Sequence, residues 1–270
     1  MAFWVCFNYL FTPITVKRTL WVDPNSVPTI DSASIEDWPD VAELLQVGEQ
    51  IEGKEFQKEE LLIFDNMMPN SMLFVQPFRN LEDVCSSAVT IVLSKVLGTW
   101  KVTESKIEFE TCFSDDSVVT TIFALNLEII GSPEGRQYFF VTWTHDPEEL
   151  LAIHNRLIGY LGPGKQKVDP VERKYGGNMS RFILHSMRDE WERHRAAGIF
   201  YLEDEKSSPE VTVVEEPINP YAPPISSPRP GRLYLSFKGA YVLTWGILFP
   251  IKQIRRWGAG RKTKGVLRRC

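Results

Sequence analysis

The chain has 270 residues, of which 43% are hydrophobic and 12% aromatic, and it carries a formal net charge of −5 at pH 7. This composition excludes an intrinsically disordered chain, and a core of this size can be buried without disulfides or a structural metal. The four cysteines are far apart in sequence and form no CxxC pair, so no zinc site, other metal site or cofactor is expected. Such sparse use of cysteine is typical of a reducing, intracellular compartment.

Residues 1–30 are predicted to form one or two strands. The apolar run from Ala2 to Val16 is rich in aromatic and β-branched residues, which favours a core strand. A membrane-directed segment is the alternative, although the run is too short to span a bilayer and Lys17 and Arg18 follow it rather than precede it.

The next part of the chain is predicted to contain a helix and a hairpin. The acidic residues 40–51 are the best candidate for the helix. Two short apolar runs, residues 61–65 and 72–77, are separated by Pro69 and Asn70, a pair typical of turns. We predict that these runs pair as a hairpin or lie at sheet edges.

Residues 81–97 carry the signals of a helix. Asn80 is a good N-cap, Glu82 and Asp83 suit the N-terminal end of the helix dipole, and Gly98 fits the position after the last turn. The β-branched run at 89–92 favours a strand, which is the alternative.

Period-two alternation is clearest between residues 107 and 144. Apolar Ile107, Phe109 and Phe113 alternate with Glu108 and Glu110. A turn at 114–117, a second alternating stretch at 123–129, a second turn at 131–135 and an apolar stretch at 138–144 follow. The pattern predicts three antiparallel strands in a meander.

Two helices are predicted after this meander. Asp146 is a good N-cap, Pro147 fits the first helical position, and Glu149 completes a start similar to a capping box. The second helix is predicted over residues 179–197. Together these elements predict an α+β body, about residues 1–200, in which helices pack on an antiparallel sheet.

Two stretches contain the residue types of an enzyme site. Residues 159–165 match the G-x-x-x-x-G-K half of a phosphate-binding loop, but a helix precedes them, and Gln166 stands where Ser or Thr would bind magnesium. We therefore predict a glycine helix stop. His145 and Glu149, with Asp146 and His154 nearby, would form a metal or acid–base site only if they converge. A packed histidine is predicted at His154, and an enzyme with its site near His145 and Glu149 remains an alternative.

Charge is divided between two parts of the chain. Residues 229–270 hold eleven of the 30 Lys and Arg residues and no Asp or Glu, which leaves 19 basic and 35 acidic residues in residues 1–228. The formal charges are therefore −16 and +11. Such a polarised molecule is expected to associate with partners through its basic end.

Residues 201–231 are predicted to form an extended linker, because they are acidic at first and then rich in proline. Pro217, Pro220 and Pro223 recur every three residues, which is the period of a polyproline II helix. The stretch from Pro217 to Pro230 is therefore a candidate ligand for an SH3- or WW-type partner, although a plain spacer is favoured.

Residues 232–270 are predicted to form a basic, aromatic tail, which carries the clearest functional signal in the sequence. An apolar stretch at 233–251 precedes the basic cluster. The candidate binding residues are Trp245, Lys252, Arg255, Arg256, Trp257, Arg261, Lys262, Lys264, Arg268 and Arg269. Aromatic rings next to basic side chains favour an anionic membrane surface, where the rings lie at the interface and the cations meet lipid headgroups.

The sequence thus favours a non-enzymatic adaptor or structural protein, intracellular and cytoplasmic, that associates peripherally with anionic membrane. Nucleic-acid binding or transport through the same basic residues is the chief alternative, with Trp257 stacking on a base. A structural tail held by the acidic body is another alternative.

Overall fold

The computed structural model of the chain describes residues 21–22, 28, 38, 41, 45–96, 98–124, 135–202, 233–236, 238, 240 and 251–270. Within these residues it combines helices with a mixed, mostly antiparallel sheet, so the predicted α+β class is confirmed.

The described strands and helices are as follows. The strands are β1 (Trp21–Val22), β2 (Gln57–Lys58), β3 (Leu62–Met68), β4 (Ser71–Asn80), β5 (Cys85–Val96), β6 (Thr99–Phe113), β7 (Val118–Ala124), β8 (Arg136–Phe140), β9 (Lys167–Val168), β10 (Phe200–Leu202) and β11 (Leu233–Leu235). The helices are α1 (Val47–Glu52), α2 (Pro147–Leu161), α3 (Pro170–Tyr175), α4 (Met179–Ala196) and α5 (Ile251–Leu267).

The main sheet has the strand order β2-β4-β5-β6-β7-β8, with β3 also paired to β4 and β9 to β6. A second, three-stranded sheet has the order β1-β11-β10. The predicted hairpin is confirmed, because β3 and β4 pair antiparallel around a turn in which Asn70 adopts a positive φ of 54°.

The predicted helix over residues 81–97 is wrong, because most of this segment is strand β5. The carboxamide oxygen of Asn80 does accept hydrogen bonds from the amides of Glu82 and Asp83, at 3.0 and 2.9 Å, but it caps a single turn. After that turn β5 pairs with β4 on one side and with β6 on the other. Its side chains alternate between buried and half-buried, as the β-branched run at 89–92 indicates.

The predicted antiparallel pairing of the first two strands is confirmed, although β7 covers Val118–Ala124 and most of the predicted stretch 123–129 lies outside the described residues, and the predicted direction of the third strand is wrong. Strands β6 and β7 pair antiparallel, whereas β8 runs parallel to β7, with Val118 opposite Arg136. A parallel partner needs a longer connection than a hairpin turn. The connecting residues 125–134 lie outside the described part of the chain.

One face of the main sheet forms the core with α2. Leu150 and Leu157 of this helix are fully buried, and Leu150 joins Ile91 and Phe109 of the sheet in one apolar cluster. The predicted helix start is confirmed, because the Asp146 carboxylate accepts a hydrogen bond from the Glu148 amide.

The opposite face of the sheet is covered by α4, whose predicted range is confirmed to within one residue. Partly buried Ile183, Leu184 and Met187 of α4 pack with Leu73 and Val75 of β4. The helix begins at the side chain of Asn178, which accepts a hydrogen bond from the Arg181 amide.

Of the predicted N-terminal elements, the described part contains β1 and α1. The apolar run from Ala2 to Val16 lies outside the described residues. Helix α1 falls at the end of the helix predicted at 40–51, and Val41 and Leu45 are also helical.

Candidate functional site

The basic C-terminal residues form helix α5, which packs on strand β8 and helix α2. Gly258, Gly260 and Gly265 lower its intrinsic stability, because each glycine costs about 1 kcal/mol relative to alanine inside a helix. The helix also contains no acidic residue that would form a stabilising pair with its Lys and Arg side chains. Its formation therefore depends on contacts with the body.

Three polar and close-packed contacts hold α5 in place. Thr263 is only 2% exposed, and its hydroxyl donates a hydrogen bond to the Phe140 carbonyl oxygen at 3.0 Å. Gly260 is buried against Thr142, where any side chain would overlap the threonine hydroxyl. At the end of the helix, the Arg156 guanidinium donates a hydrogen bond to the Leu267 carbonyl oxygen at 2.6 Å.

Apolar contacts complete the docking. Val266 and Leu267 pack against a buried cluster that contains Phe139 of β8 and Leu157 of α2. Arg256, Gly260, Thr263 and Leu267 recur every three or four residues and thus lie on one side of the helix. This side faces the body.

The neighbouring face of α5, about 100° round the helix from the docked face, is basic and exposed. We call it the basic stripe and define it as Trp257, Arg261, Lys264 and Arg268, which are spaced by four, three and four residues. These side chains line one helix face over about 16 Å. Exposed Lys262 and Arg269 flank the stripe.

Two members of the basic stripe lie next to aromatic rings. Trp257 is 63% exposed, and the Arg261 guanidinium lies over its ring, 4.5 Å from the centroid. Lys264 is placed in the same way over Trp143 of the body, also at 4.5 Å. Cation–π contacts of this kind are worth about 0.5–1 kcal/mol at exposed sites and leave the charge accessible.

The charges of the basic stripe and its flanks are not neutralised by carboxylates in the described structure. None of its ion pairs involves Arg261, Lys262, Lys264, Arg268 or Arg269. Like charges three or four residues apart on a helix cost about 0.2–0.5 kcal/mol per pair. An anionic surface would relieve this repulsion.

The remaining predicted binding residues are placed differently. Arg255 and Arg256 are half-buried, and Arg256 lies 5.8 Å from the ring centroid of Phe123 in β7. Trp245 and the side chain of Lys252 lie outside the described residues. The part predicted as a tail thus meets the body through β11 and through α5.

The proline-rich segment from Pro217 to Pro230, predicted as a linker and candidate SH3 or WW ligand, lies within residues 203–232 and so outside the described part of the chain. The predicted division at 1–200, 201–231 and 232–270 stays a prediction.

Two of the residues considered for an enzyme site, Asp146 and His154, have structural roles. His145 and Glu149 are exposed, Asp146 caps α2, and the described residues contain no group of three or more His, Cys, Asp and Glu side chains that could hold a metal ion. His154 is fully buried, and its ring nitrogens lie 2.9 and 3.0 Å from the hydroxyls of Thr111 and Thr121. Burial lowers the pKa of His154 to about 3, so the ring is neutral at pH 7. The predicted packed histidine is confirmed.

The glycine-rich segment at 159–165 is a helix stop, as predicted. Gly162 caps the C-terminus of α2, and its amide donates a hydrogen bond to the Ile158 carbonyl oxygen at 2.9 Å. Lys165 forms an ion pair with Asp115 at 2.7 Å. The Gly162 amide and the Lys165 ammonium group thus both have partners within the protein.

A cavity of about 230 Å³ lies between the sheet and α4, at a place where the sequence pattern predicts no site. Its floor carries alternating side chains of β6, among them Lys106, Glu108 and Glu110, and its wall carries apolar side chains of α4. The alternation of Glu108 and Glu110 is the signal that was present in the sequence. Alternating glutamates are also typical of a strand face that is exposed to solvent. Only the position of α4 shows that this face of β6 is covered.

None of the helices described by the structure is both long and apolar enough to cross a membrane. No family model, no curated protein and no solved structure matches this chain.

Proposed function

We propose that the protein is a non-enzymatic adaptor or structural protein that docks peripherally on anionic membrane through the basic stripe of α5. The observation that carries this proposal is the outward arrangement of Trp257, Arg261, Lys264 and Arg268 on a helix fixed to the body. In this proposal α5 binds lipid while it stays docked. An intracellular, cytoplasmic location follows from the same proposal.

The distribution of charge supports contact with an anionic surface through α5 rather than through the body. Residues 1–228 carry a formal charge of −16, so the body itself is repelled by an anionic surface. Each basic residue near such a surface contributes roughly 1 kcal/mol. Clusters of about four to eight basic residues on a helix are typical of sites that bind anionic lipid, and the stripe and its flanks provide five.

The exposed tryptophan favours membrane over nucleic acid. Tryptophan is amphipathic and suits the interface between headgroups and acyl chains. One face of the Trp257 ring is already covered by Arg261, so stacking between two bases would require this contact to break. Nucleic-acid binding through the same stripe is the alternative, and an experiment must distinguish it from membrane binding.

The test is co-sedimentation of the full chain with mixed phosphatidylserine–phosphatidylcholine vesicles and with pure phosphatidylcholine vesicles. We expect binding to the mixed vesicles alone, weakened by added salt. Replacing Arg261, Lys264 and Arg268 by glutamine should weaken it roughly 100-fold, since three contributions of about 1 kcal/mol are lost.

A matched control removes three positive charges elsewhere. Lys58, Lys95 and Lys101 are exposed on the sheet, and replacing them by glutamine gives the same net charge as the stripe variant. We expect this control variant to keep most of the vesicle binding that the stripe variant loses. Equal loss in both variants, or binding to a single-stranded oligonucleotide without binding to mixed vesicles, would reject the membrane proposal.

A further inference from the structure

The cavity between the main sheet and α4 has two chemically different sides. On one side, Met179, Phe182, Ile183 and Met187 of α4 provide an apolar wall. On the other side, β6 provides Glu108 and Glu110 and β8 provides Arg136, all of them on a single face of the sheet. A space with an apolar wall and a charged floor suits a small amphipathic molecule.

The charges around the cavity favour a cation. The carboxylates of Glu108, Glu110 and Glu190 line it, against the cations of Lys106 and Arg136. Lys106 and Glu108 form a close pair at 2.7 Å, which uses both groups. An anionic ligand would meet the larger number of like charges.

Glu110 is the carboxylate with hydrogen-bond acceptor positions still unused. Its side chain is only 14% exposed, yet its contacts are long: 3.1 Å from the Thr120 hydroxyl, 3.5 Å from the Arg136 guanidinium and 3.7 Å from the Cys112 thiol. Hydrogen bonds from a cation to a carboxylate are normally about 2.7–2.9 Å, and a carboxylate has about four acceptor positions. Burial raises the pKa of Glu110, because the side chain has lost the water that would stabilise its charged form.

The size of the cavity limits the ligand. An apolar cavity of about 150 Å³ accommodates benzene, so about 230 Å³ accommodates roughly nine non-hydrogen atoms. This is the size of an amine that carries one aromatic ring or a short alkyl chain.

We propose that this cavity binds a small amphipathic amine, with its ammonium group at Glu110 and its apolar part against α4. The ammonium group donates to the Glu110 carboxylate from the cavity side, and the apolar part contacts Phe182, Ile183 and Met187. The site is separate from the basic stripe and does not depend on membrane binding.

The test uses phenethylamine, which has the required size and charge, with the full chain and ligand-observed NMR. Phenethyl alcohol has the same shape without the charge, and benzoate, with the same number of non-hydrogen atoms, carries the opposite charge. We expect saturable binding of phenethylamine and binding about tenfold weaker or more for the alcohol, since a charge-assisted hydrogen bond is lost. No binding is expected for benzoate.

Two variants locate the binding. Glu110→Gln should weaken phenethylamine binding about tenfold or more, while Glu108→Gln, two residues along the same strand, should retain most of it. Thermal unfolding of both variants checks that they fold. If Glu110→Gln does not fold, Ala88→Leu, which fills the cavity floor, takes its place and should abolish binding. Equal affinity for amine and alcohol, undiminished binding in a folded Glu110→Gln or Ala88→Leu variant, or no saturable binding of phenethylamine would overturn the proposal.

Discussion

Gly260 allows the docking of α5 to be tested with a single methyl group. We expect Gly260→Ala to loosen α5 from the body, because a Cβ at this position would overlap the Thr142 hydroxyl. Gly258 lies two positions earlier in the same helix, and a Cβ there meets nothing within 4 Å. The two substitutions therefore have the same effect on helix propensity and differ in their contact with the body.

The expected magnitudes follow from these surroundings. Replacing glycine by alanine inside a helix stabilises it by about 1 kcal/mol, and Gly258→Ala should keep this gain. In Gly260→Ala the methyl group is forced against a β-branched side chain that is stiff about χ1, at a cost of about 1–3 kcal/mol. The free energy of opening α5 should thus differ between the variants by about 1–3 kcal/mol, or a factor of roughly 5 to 150 in the opening equilibrium.

Amide hydrogen exchange over residues 251–267 measures this opening. We expect faster exchange in Gly260→Ala than in Gly258→Ala, and exchange in Gly258→Ala that is slower than or equal to that of the wild type. Adding Thr142→Ala to Gly260→Ala should restore protection, because the two changes are coupled through one contact. Equal exchange in the Gly258→Ala and Gly260→Ala variants would refute the docked geometry.

Three further predictions concern the body. Urea unfolding should show that Gly159→Ala stabilises α2 by up to about 1 kcal/mol. Gly162→Ala should destabilise the protein by about 1–3 kcal/mol, because its Cβ would lie 2.8 Å from the Phe113 ring. A stabilised Gly162→Ala variant would contradict this packing. Asp146→Ala should lower the free energy of unfolding by about 1 kcal/mol, and Asp146→Asn, which keeps the cap, by much less; equal losses would exclude the cap as the cause. The free energy of unfolding should fall as the pH drops from 6.5 towards about 3, because His154 takes up a proton in the unfolded chain at a pKa of 6.5 and in the fold only near 3. This pH dependence should be weaker in His154→Gln, and an unchanged dependence would assign it to other groups.

The elements predicted correctly from the sequence are those with local signals. Asp146, Pro147 and Gly162 define α2 within one stretch of chain, and the Pro69 and Asn70 turn defines the β3–β4 hairpin. Each helix signal acts on a backbone group within four residues of it, since the Asp146 carboxylate accepts from the Glu148 amide and the Gly162 amide donates to the Ile158 carbonyl oxygen. Such elements require no knowledge of distant partners.

The errors occurred where distant partners decide the structure. Asn80 caps a turn in the way a helix begins, but β5 becomes a strand because β4 and β6 lie on either side of it. The parallel direction of β8 depends on its pairing with β7 and leaves no trace in period-two alternation.

The sequence indicates which residues are basic but not how α5 presents them. The basic residues are evident in the sequence, but the outward stripe depends on Gly260 packing against Thr142 and on Thr263 bonding to Phe140 of β8, more than a hundred residues earlier in the chain. Neither glycine nor threonine is a residue type that indicates a binding surface in a sequence. The cavity was missed for a similar reason, because the helix that covers Glu108 and Glu110 begins only at Met179.

Hydrogen exchange of the full chain on mixed phosphatidylserine–phosphatidylcholine vesicles tests most directly whether α5 binds lipid while docked. We predict slower exchange in Ile251–Leu267 when vesicles are added, with the protection of Arg136–Phe140 in β8 unchanged. Loss of protection in β8, which would mean that α5 leaves the body, or unchanged exchange in α5 when the protein sediments with the vesicles, would contradict this prediction.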